Sequence, residues 1–232
     1  GTTTNRSTPV QAIASGATQI AMGINHSCAL VQSQVKCWGY GGNGQLGQGR
    51  IGTTTSSATN SSTAVTVLDI SSDASAVAAS VSATCAVVAG GVKCWGSGSA
   101  TGSSSRSATW PTPVDTLPAG SGILGTLASG YDHVCTIVSA TGAVKCWGQN
   151  TYGQLGNSST TTSTTPVSVT GLTGTTAISG GGYGYNTCAL YTSGGTTGIP
   201  TCWGANSQGT IGDSTQTQRT APVALTVGAS GA

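Results

Sequence analysis

Short apolar runs alternate with turns rich in Gly, Ser and Asn over the whole length of the chain. The runs span about four to six residues and are rich in Val, Ile and Thr, as at 28–31 and 85–88. Runs of this length and composition, bounded by turn residues, predict β-strands. No stretch shows the periodicity of an amphipathic helix. The pattern therefore predicts an all-β protein.

One order of strands and turns repeats four times, at intervals of about 50 to 57 residues. The sequence Val-Lys-Cys-Trp-Gly begins at Val35, Val92 and Val144, and a divergent fourth copy begins at Pro200. Another cysteine, followed by two apolar residues, precedes each copy. A period of this size indicates one supersecondary unit that is copied and stacked.

A Thr-Pro-Val-like step opens each repeat and sets the expected boundaries. We expect a single repeat domain over residues 1–232, with repeats at approximately 8–62, 63–111, 112–164 and 165–219. The step occurs a fifth time at 220–223, so residues 220–232 are expected to form an extra terminal strand. That strand either completes a closed ring or pairs with another subunit.

Each repeat carries two cysteines that flank a short polar segment. Two strands joined by a tight turn place such cysteines opposite each other, at the separation that a disulfide requires. Buried thiols and zinc are the alternatives, but spacings of nine or more residues do not resemble the cysteine knuckles of structural zinc sites. We predict no metal and four disulfides, which are Cys28–Cys37, Cys85–Cys94, Cys135–Cys146 and Cys188–Cys202.

A tryptophan directly follows the second cysteine of each repeat, so in a strand the two side chains point to opposite faces of the sheet. An indole in every repeat is typical of the contact between neighbouring sheets, where it buries a large apolar area. We therefore predict structural roles for Trp38, Trp95, Trp147 and Trp203. Trp110 lies outside the motif and is the candidate for a ligand contact at the surface.

The order of these elements resembles the regulator of chromosome condensation repeat, a blade of a β-propeller. The resemblance is carried by residues 25–30 (Asn-His-Ser-Cys-Ala-Leu), 35–39 (Val-Lys-Cys-Trp-Gly), 43–47 (Asn-Gly-Gln-Leu-Gly) and the Thr-Pro-Val step. It covers nearly the whole chain, and the cysteine-bearing form is similar to versions in secreted and surface proteins of microbes. It implies a β-propeller-like array of four blade repeats, each with a disulfide hairpin.

The activity of the family's founding member does not follow from the resemblance. Family propellers usually have seven blades, and this chain has four repeats. Nucleotide exchange on a small GTPase and nucleosome binding belong to a nuclear, reducing setting, whereas paired cysteines indicate an extracellular or cell-surface location. The resemblance therefore implies the fold and not that activity.

Charged residues make up 5% of the chain and the net charge is +2. Without a basic stripe there is no electrostatic footprint for nucleic acid, so we expect no nucleic-acid partner. No apolar run approaches the length of a membrane-spanning helix, so we expect no membrane insertion.

Clusters of Ser and Thr lie between the repeats and are typical of O-glycosylated surface segments. Covalent glycans would also explain solubility with so few charges. Asn60 and Asn157 lie in Asn-x-Ser sequons within these loops. The glycosylation candidates are Asn60, Asn157, Thr53, Thr54, Thr55, Ser158, Ser159, Thr160, Thr161 and Thr162. The alternative is a Ser/Thr-rich surface without glycans.

The search for catalytic groups yields little. His26 and His133 occupy the same repeat position, where the other two repeats have Ala83 and Asn186. A position that varies in this way is more typical of a structural site than of a catalytic one. Asp132-His133 has no serine in a nucleophile turn beside it, and the carboxylates are scattered. We predict no enzyme and no cofactor.

These observations predict a secreted structural protein that forms a glycosylated subunit of an extracellular assembly or filament, through self-assembly of its terminal strands. One alternative is a binding propeller whose rim holds a glycan or protein. Its rim aromatics would be Tyr40, Trp110, Tyr131, Tyr152, Tyr183 and Tyr185. Another is an accessory domain of a longer enzyme chain.

Overall fold

The computed structural model describes residues 1–52, 59–70, 72–102, 109–138 and 140–225, which form 16 β-strands and one short 3₁₀ turn, Ser99–Thr101. Val- and Ala-rich runs such as Ala74–Ala79 are strands, and turn residues separate them. The prediction of an all-β protein is confirmed.

The strands form four sheets of four strands, and each sheet follows chain order. The first two sheets, blades 1 and 2, consist of β1 (Ala17–Met22), β2 (His26–Val31), β3 (Gln34–Gly39) and β4 (Ser61–Thr66), then β5 (Ala74–Ala79), β6 (Ala83–Val88), β7 (Gly91–Ser97) and β8 (Thr109–Leu117). Blades 3 and 4 consist of β9 (Ile123–Ser129), β10 (His133–Val138), β11 (Ala143–Gly148) and β12 (Ser163–Ser168), then β13 (Thr175–Gly180), β14 (Asn186–Ser193), β15 (Thr196–Gly204) and β16 (Arg219–Ala224). All neighbouring strands are antiparallel.

The second and third strands of every blade form a hairpin that carries a disulfide. The register places the two cysteines directly opposite each other in all four hairpins. Their Cα atoms lie 4.0 to 4.1 Å apart. The four predicted disulfides, Cys28–Cys37, Cys85–Cys94, Cys135–Cys146 and Cys188–Cys202, are confirmed.

The blades are phased differently from the expected repeats, because the Thr-Pro-Val-like strand closes each sheet instead of opening it. Val65 pairs with Cys37 and Val223 pairs with Cys202, which makes these strands the fourth of their sheets. Residues 219–224 thus form the fourth strand of blade 4, and residues 226–232 of the expected terminal strand lie outside the described residues. The copy left over is the first, at residues 8–10, which lies outside any strand. A motif at the border of two repeats can be assigned to the end of one or to the start of the next, and strand pairing decides between the two.

Neighbouring blades stack with a constant polarity. The disulfide side of one blade, which we call its disulfide face, packs against the side of the next blade that carries the motif tryptophan, its Trp face. Trp95, Trp147 and Trp203 are fully buried in these three junctions. The first strands line the inside of the array in the order β1, β5, β9 and β13. The array is open, because large side chains on the outer faces of blades 1 and 4 are exposed.

The structure contains no helix, within its described ranges, that is long and apolar enough to cross a bilayer.

Candidate functional site at the blade faces

The junction between blades 1 and 2 is built around one backbone carbonyl, that of Gln45. This oxygen accepts a hydrogen bond from the Trp95 indole N–H at 2.9 Å and another from the Thr84 hydroxyl at 3.1 Å. All three residues are buried. Two donors saturate the two lone pairs of the carbonyl. The Gln-Leu-Gly loop of one blade and the Cys-Trp-Gly strand of the next are therefore two halves of one contact.

His26 adds a third member to this junction. Thr84 gives its single hydroxyl proton to Gln45, so its oxygen accepts a hydrogen bond from Nε2–H of His26 at 2.9 Å. This arrangement requires the neutral tautomer in which Nδ1 carries no proton. Burial lowers the pKa of His26 from 6.5 to about 4, so the imidazole stays neutral at physiological pH.

The junction between blades 3 and 4 repeats this arrangement. The Gln154 carbonyl accepts hydrogen bonds from the Trp203 indole at 2.9 Å and from the Thr187 hydroxyl at 3.2 Å. His133 Nε2–H lies 2.8 Å from the Thr187 oxygen, and burial lowers the pKa of His133 to about 4. Both histidines of the chain thus join blades.

The middle junction, between blades 2 and 3, replaces the polar pair by an apolar one. Ala83 stands where the other junctions have histidine, and Val134 stands where they have threonine. Both side chains are buried in the core between the two blades. The tryptophan contact is kept, since the Trp147 indole donates to the Ala100 carbonyl at 2.9 Å. The histidine and its threonine are therefore replaced together, across two blades.

Blade 2 lacks the Gln-Leu-Gly loop, and Asp132 of blade 3 holds the segment that replaces it. Its carboxylate accepts hydrogen bonds from the backbone N–H groups of Ser99 at 3.1 Å and Ala100 at 3.0 Å, at the start of the 3₁₀ turn. A charged acceptor of two backbone donors fixes this turn against blade 3. Sequence reasoning missed this role. The sequence does contain a clue to it. Blade 2 lacks the loop, and the residue before the histidine position is acidic only in the next blade, where it is Asp132.

Each histidine also requires a glycine three residues before it. A Cβ atom at Gly23 would lie 2.2 Å from Cε1 of His26, and one at Gly130 would lie 2.1 Å from Cε1 of His133. Blade 2 has Ser80 at this position beside its smaller alanine. The imidazole therefore occupies the space of the absent side chain.

The Trp face of blade 1 is largely uncovered. Ile20 is 70% exposed, whereas Val77, which holds the same register position in blade 2, is 1% exposed. Met22 is 69% exposed. Trp38 is half-buried, in contrast to the other three motif tryptophans. Blade 1 thus exposes apolar side chains at positions that are buried in blade 2.

An N-terminal segment, residues 1–12, partly covers Trp38. Its residues and Trp38 line a cavity of about 260 Å³ together with Thr63. The first Thr-Pro-Val copy lies within this segment and forms no strand. The segment therefore occupies part of the space where a preceding blade would stack.

The disulfide face of blade 4 is the second uncovered surface. Leu190 is 41% exposed, whereas Leu30, at the same position in blade 1, is 6% exposed. Leu190, Cys188 and Pro200 line an apolar groove of about 270 Å³. Thr210 is exposed at the position that corresponds to the buried Gln45. In the three internal junctions the Trp face of the next blade covers the corresponding surface, whereas here no blade covers it.

The remaining predicted positions do not converge on one site. Trp110 lies on β8 opposite Gly96 and is 41% exposed. Asn60 is exposed and Asn157 half-buried. Their Oδ1 atoms accept hydrogen bonds from the Gly41 N–H and the Asn150 amide, respectively.

Of the Ser and Thr candidates, Ser158, Thr160, Thr161 and Thr162 are exposed and Ser159 is half-buried. Thr53, Thr54 and Thr55 lie outside the described residues. Within the ranges that the structure describes, no group of three or more His, Cys, Asp or Glu side chains is placed to hold a metal ion.

Four-stranded antiparallel blades that stack face to face define a repeat protein of the β-propeller class. The regulator of chromosome condensation (RCC1) repeat matches residues 141–190, and a second description of the same repeat matches residues 17–45 and 126–154. The repeats within residues 17–45 and 126–190 belong to the RCC1 repeat family. No curated protein matches the chain in sequence.

Solved structures share the fold at low sequence identity. Human WBSCR16 is 24% identical with a TM-score of 0.76, over 94% of this chain and 55% of that one. Prp20p from Saccharomyces cerevisiae is 16% identical with a TM-score of 0.74, over 92% of this chain and 51% of that one. The chain therefore spans about half the length of these structures.

Proposed function

We propose that this chain is a non-enzymatic, extracellular structural protein whose copies associate end to end. The Trp face of blade 1 in one copy packs on the disulfide face of blade 4 in the next. The observation that carries the proposal is the exposure of Ile20 and Leu190, because Val77 and Leu30, which hold the equivalent positions in the junction between blades 1 and 2, are buried. Such a contact joins two different surfaces, so it propagates into an open filament or closes into a ring of copies.

The apolar part of this contact follows from the internal junctions. Val77 is buried against the disulfide face of blade 1, in one core with Leu30. By the same register Ile20 of one copy enters the groove beside Leu190 and Pro200 of the next. Full burial of an aliphatic side chain of this size contributes about 1.5 to 3 kcal/mol.

The polar part has matching partners as well. The Trp38 indole corresponds to Trp95, and the Thr210 carbonyl corresponds to the carbonyl of Gln45. Ser27 stands in the position of Thr84, and Asn186 stands in the position of His26. A serine hydroxyl accepts a hydrogen bond from an asparagine amide as readily as the threonine accepts one from imidazole. The contact between copies would thus use an asparagine and serine pair, where the internal junctions use a histidine and threonine pair or an alanine and valine pair.

An extracellular, glycosylated state is supported by the covalent chemistry. Four disulfides in 232 residues are typical of an oxidising compartment. The described N- and O-glycosylation candidates lie at or near the surface. We expect intact-mass spectrometry of the native protein to show hexose-spaced increments at these residues. A native mass equal to that of the bare oxidised chain would contradict glycosylation and leave the end-to-end contact untouched.

The end-to-end contact is tested by a pair of complementary variants. Ile20→Asp places a charge on the Trp face of blade 1, and Leu190→Asp places one on the disulfide face of blade 4. Each side chain is well exposed in the single chain, so both variants fold. Leu68→Asp is the matched control, because Leu68 is 46% exposed and lies in the connection between β4 and β5. Sedimentation velocity of the oxidised protein over a range of concentrations measures association, and circular dichroism checks folding.

We expect the unaltered chain and Leu68→Asp to form concentration-dependent oligomers, and both end-face variants to remain monomers. Each variant still carries one intact face, so a mixture of Ile20→Asp and Leu190→Asp forms a one-to-one dimer and stops there. Electron microscopy then shows fibres or rings only for the unaltered chain and the control. A monomeric unaltered chain at all concentrations, or a mixture that does not dimerise, contradicts the proposal.

A further inference from the structure

Four tyrosines gather at the rim of the junction between blades 3 and 4. They are Tyr131, Tyr152, Tyr183 and Tyr185, which we call the tyrosine cluster. The ring centroids of Tyr131 and Tyr185 lie 4.7 Å apart, those of Tyr152 and Tyr185 lie 5.0 Å apart, and those of Tyr131 and Tyr183 lie 6.0 Å apart. These separations are typical of aromatic packing. The cluster nevertheless stays open to solvent, since Tyr183 is 64% exposed and Tyr152 is 40% exposed.

The cluster is held by backbone contacts of the two blades. The Tyr131 N–H donates to the Gly184 carbonyl at 3.0 Å, and the Tyr185 carbonyl accepts from the Ala205 N–H at 2.8 Å. These bonds fix the backbone that carries Tyr131 and Tyr185, so these two residues lose little conformational freedom when they contact a ligand.

Tyr183 lies on a connection that is longer in blade 4 than in the other three blades. The connection between the first two strands is residues 23–25 in blade 1, 80–82 in blade 2 and 130–132 in blade 3, whereas in blade 4 it is the longer segment 181–185. The extra length carries Tyr183, flanked by glycines, to the surface. A large aromatic ring added to an exposed loop contributes little to the core, which favours a role in binding.

A cavity with a mixed polar and apolar lining adjoins the cluster. Tyr131, Ser82, Ser97 and Asp132 lie among the residues around this cavity, which has a volume of about 150 Å³. Its wall thus combines one aromatic ring with two hydroxyl groups and a carboxylate. Asp132 is also the only ionisable side chain of this wall besides the tyrosine, and it is acidic.

We propose that the tyrosine cluster and the adjoining cavity bind a neutral oligosaccharide. Sugar rings present C–H faces that pack on aromatic rings, and hydroxyls that bond to serine and carboxylate oxygens. Polar groups set into an aromatic surface fit this mixture. The carboxylate of Asp132 disfavours an anionic sugar and a nucleic acid. The site lies on other residues than the end faces, so it does not depend on end-to-end association.

The test uses the Leu190→Asp chain, so that ligand binding is measured apart from association. Isothermal titration calorimetry with cellohexaose, maltohexaose and chitohexaose supplies three neutral probes, and a heparin hexasaccharide supplies an anionic one. Tyr183→Ala and Tyr152→Ala remove exposed rings of the cluster. Tyr40→Ala is the matched control, because Tyr40 is 41% exposed on the loop after β3 in blade 1.

We expect at least one neutral probe to bind at millimolar concentration or below, and no heparin binding. Tyr183→Ala and Tyr152→Ala should each weaken binding at least tenfold, while Tyr40→Ala leaves it unchanged. Absence of binding to all three neutral probes at millimolar concentration overturns the proposal. So does preferential binding of the anionic probe, or equal binding by Tyr183→Ala and the parent chain.

Discussion

The choice of one side chain, three residues after a glycine or serine, decides the chemistry of each blade junction. Where it is His26 or His133, the partner blade offers a threonine whose hydroxyl relays the hydrogen bond to a backbone carbonyl. Where it is Ala83, the partner is a valine. A mismatched pair would leave a buried hydroxyl or imidazole without its partner, at a cost of about 1 to 3 kcal/mol.

The buried histidines predict that the protein loses stability in mild acid. Each has a pKa of about 4 in the folded chain and 6.5 when exposed, so the unfolded chain takes up protons first as the pH falls. The contribution of each neutral histidine is complete above pH 6.5, declines as the pH falls from 6.5 to 4, and is constant below. From pH 7.5 to pH 4.5 the loss is about 2 to 3 kcal/mol for each histidine. Urea unfolding at the two pH values measures it.

A double variant that copies the middle junction isolates the contribution of one histidine. His26→Ala with Thr84→Val reproduces the Ala83 and Val134 pair, so it should fold and lose about half of the pH dependence. Hydrogen bonds from Thr215 and Arg219 lower the pKa of Asp213 to about 2. Asp213 therefore titrates below this pH range. The same stability at pH 7.5 and 4.5, or a double variant with the full pH dependence, contradicts the assignment.

At the scale of strands and hairpins, most of the fold can be predicted from the sequence. Paired cysteines that flank a polar turn define the central hairpin, because only one register brings Cys28 opposite Cys37. The outer strand is different. The Thr-Pro-Val motif predicts a strand but does not predict which strand it pairs with. In the structure Val65 pairs with Cys37, so β4 lies beside β3. The phase of the blades depends on this contact between strands, which composition and spacing do not reveal.

The candidate site was predicted less completely for the same physical reason. The motif tryptophans were assigned to contacts between sheets, and three of them are buried there. The exposure of Ile20 and Leu190 depends on which blade has a neighbour, since residues of the same type are buried elsewhere in the chain. The tyrosine cluster joins a loop of blade 3 to a lengthened connection of blade 4. Its members are separated in the sequence and meet only in the stack.

At the scale of the whole molecule, the N-terminal segment competes with the proposed neighbour for the Trp face of blade 1. Residues 1–12 lie over Trp38, which a docked blade would cover instead. We expect deletion of residues 1–12 to strengthen end-to-end association about tenfold, which corresponds to ~1.4 kcal/mol. Sedimentation equilibrium of the deleted and the full chain measures the difference. The same deletion in the Leu190→Asp chain should stay monomeric, and an unchanged or weaker association would contradict competition.

The placement of the disulfides has a mechanical consequence. Each one closes a loop inside a single hairpin, with sequence separations of 9, 9, 11 and 14 residues, and no cysteine remains to link two blades. The central hairpin of every blade is therefore held by a covalent bond, whereas the packing of one blade on the next is noncovalent. Under load we expect the blades to separate from one another first. The disulfide-linked hairpins stay closed and are available for refolding. A fibre of such subunits would yield in steps and recover its length when the force is removed.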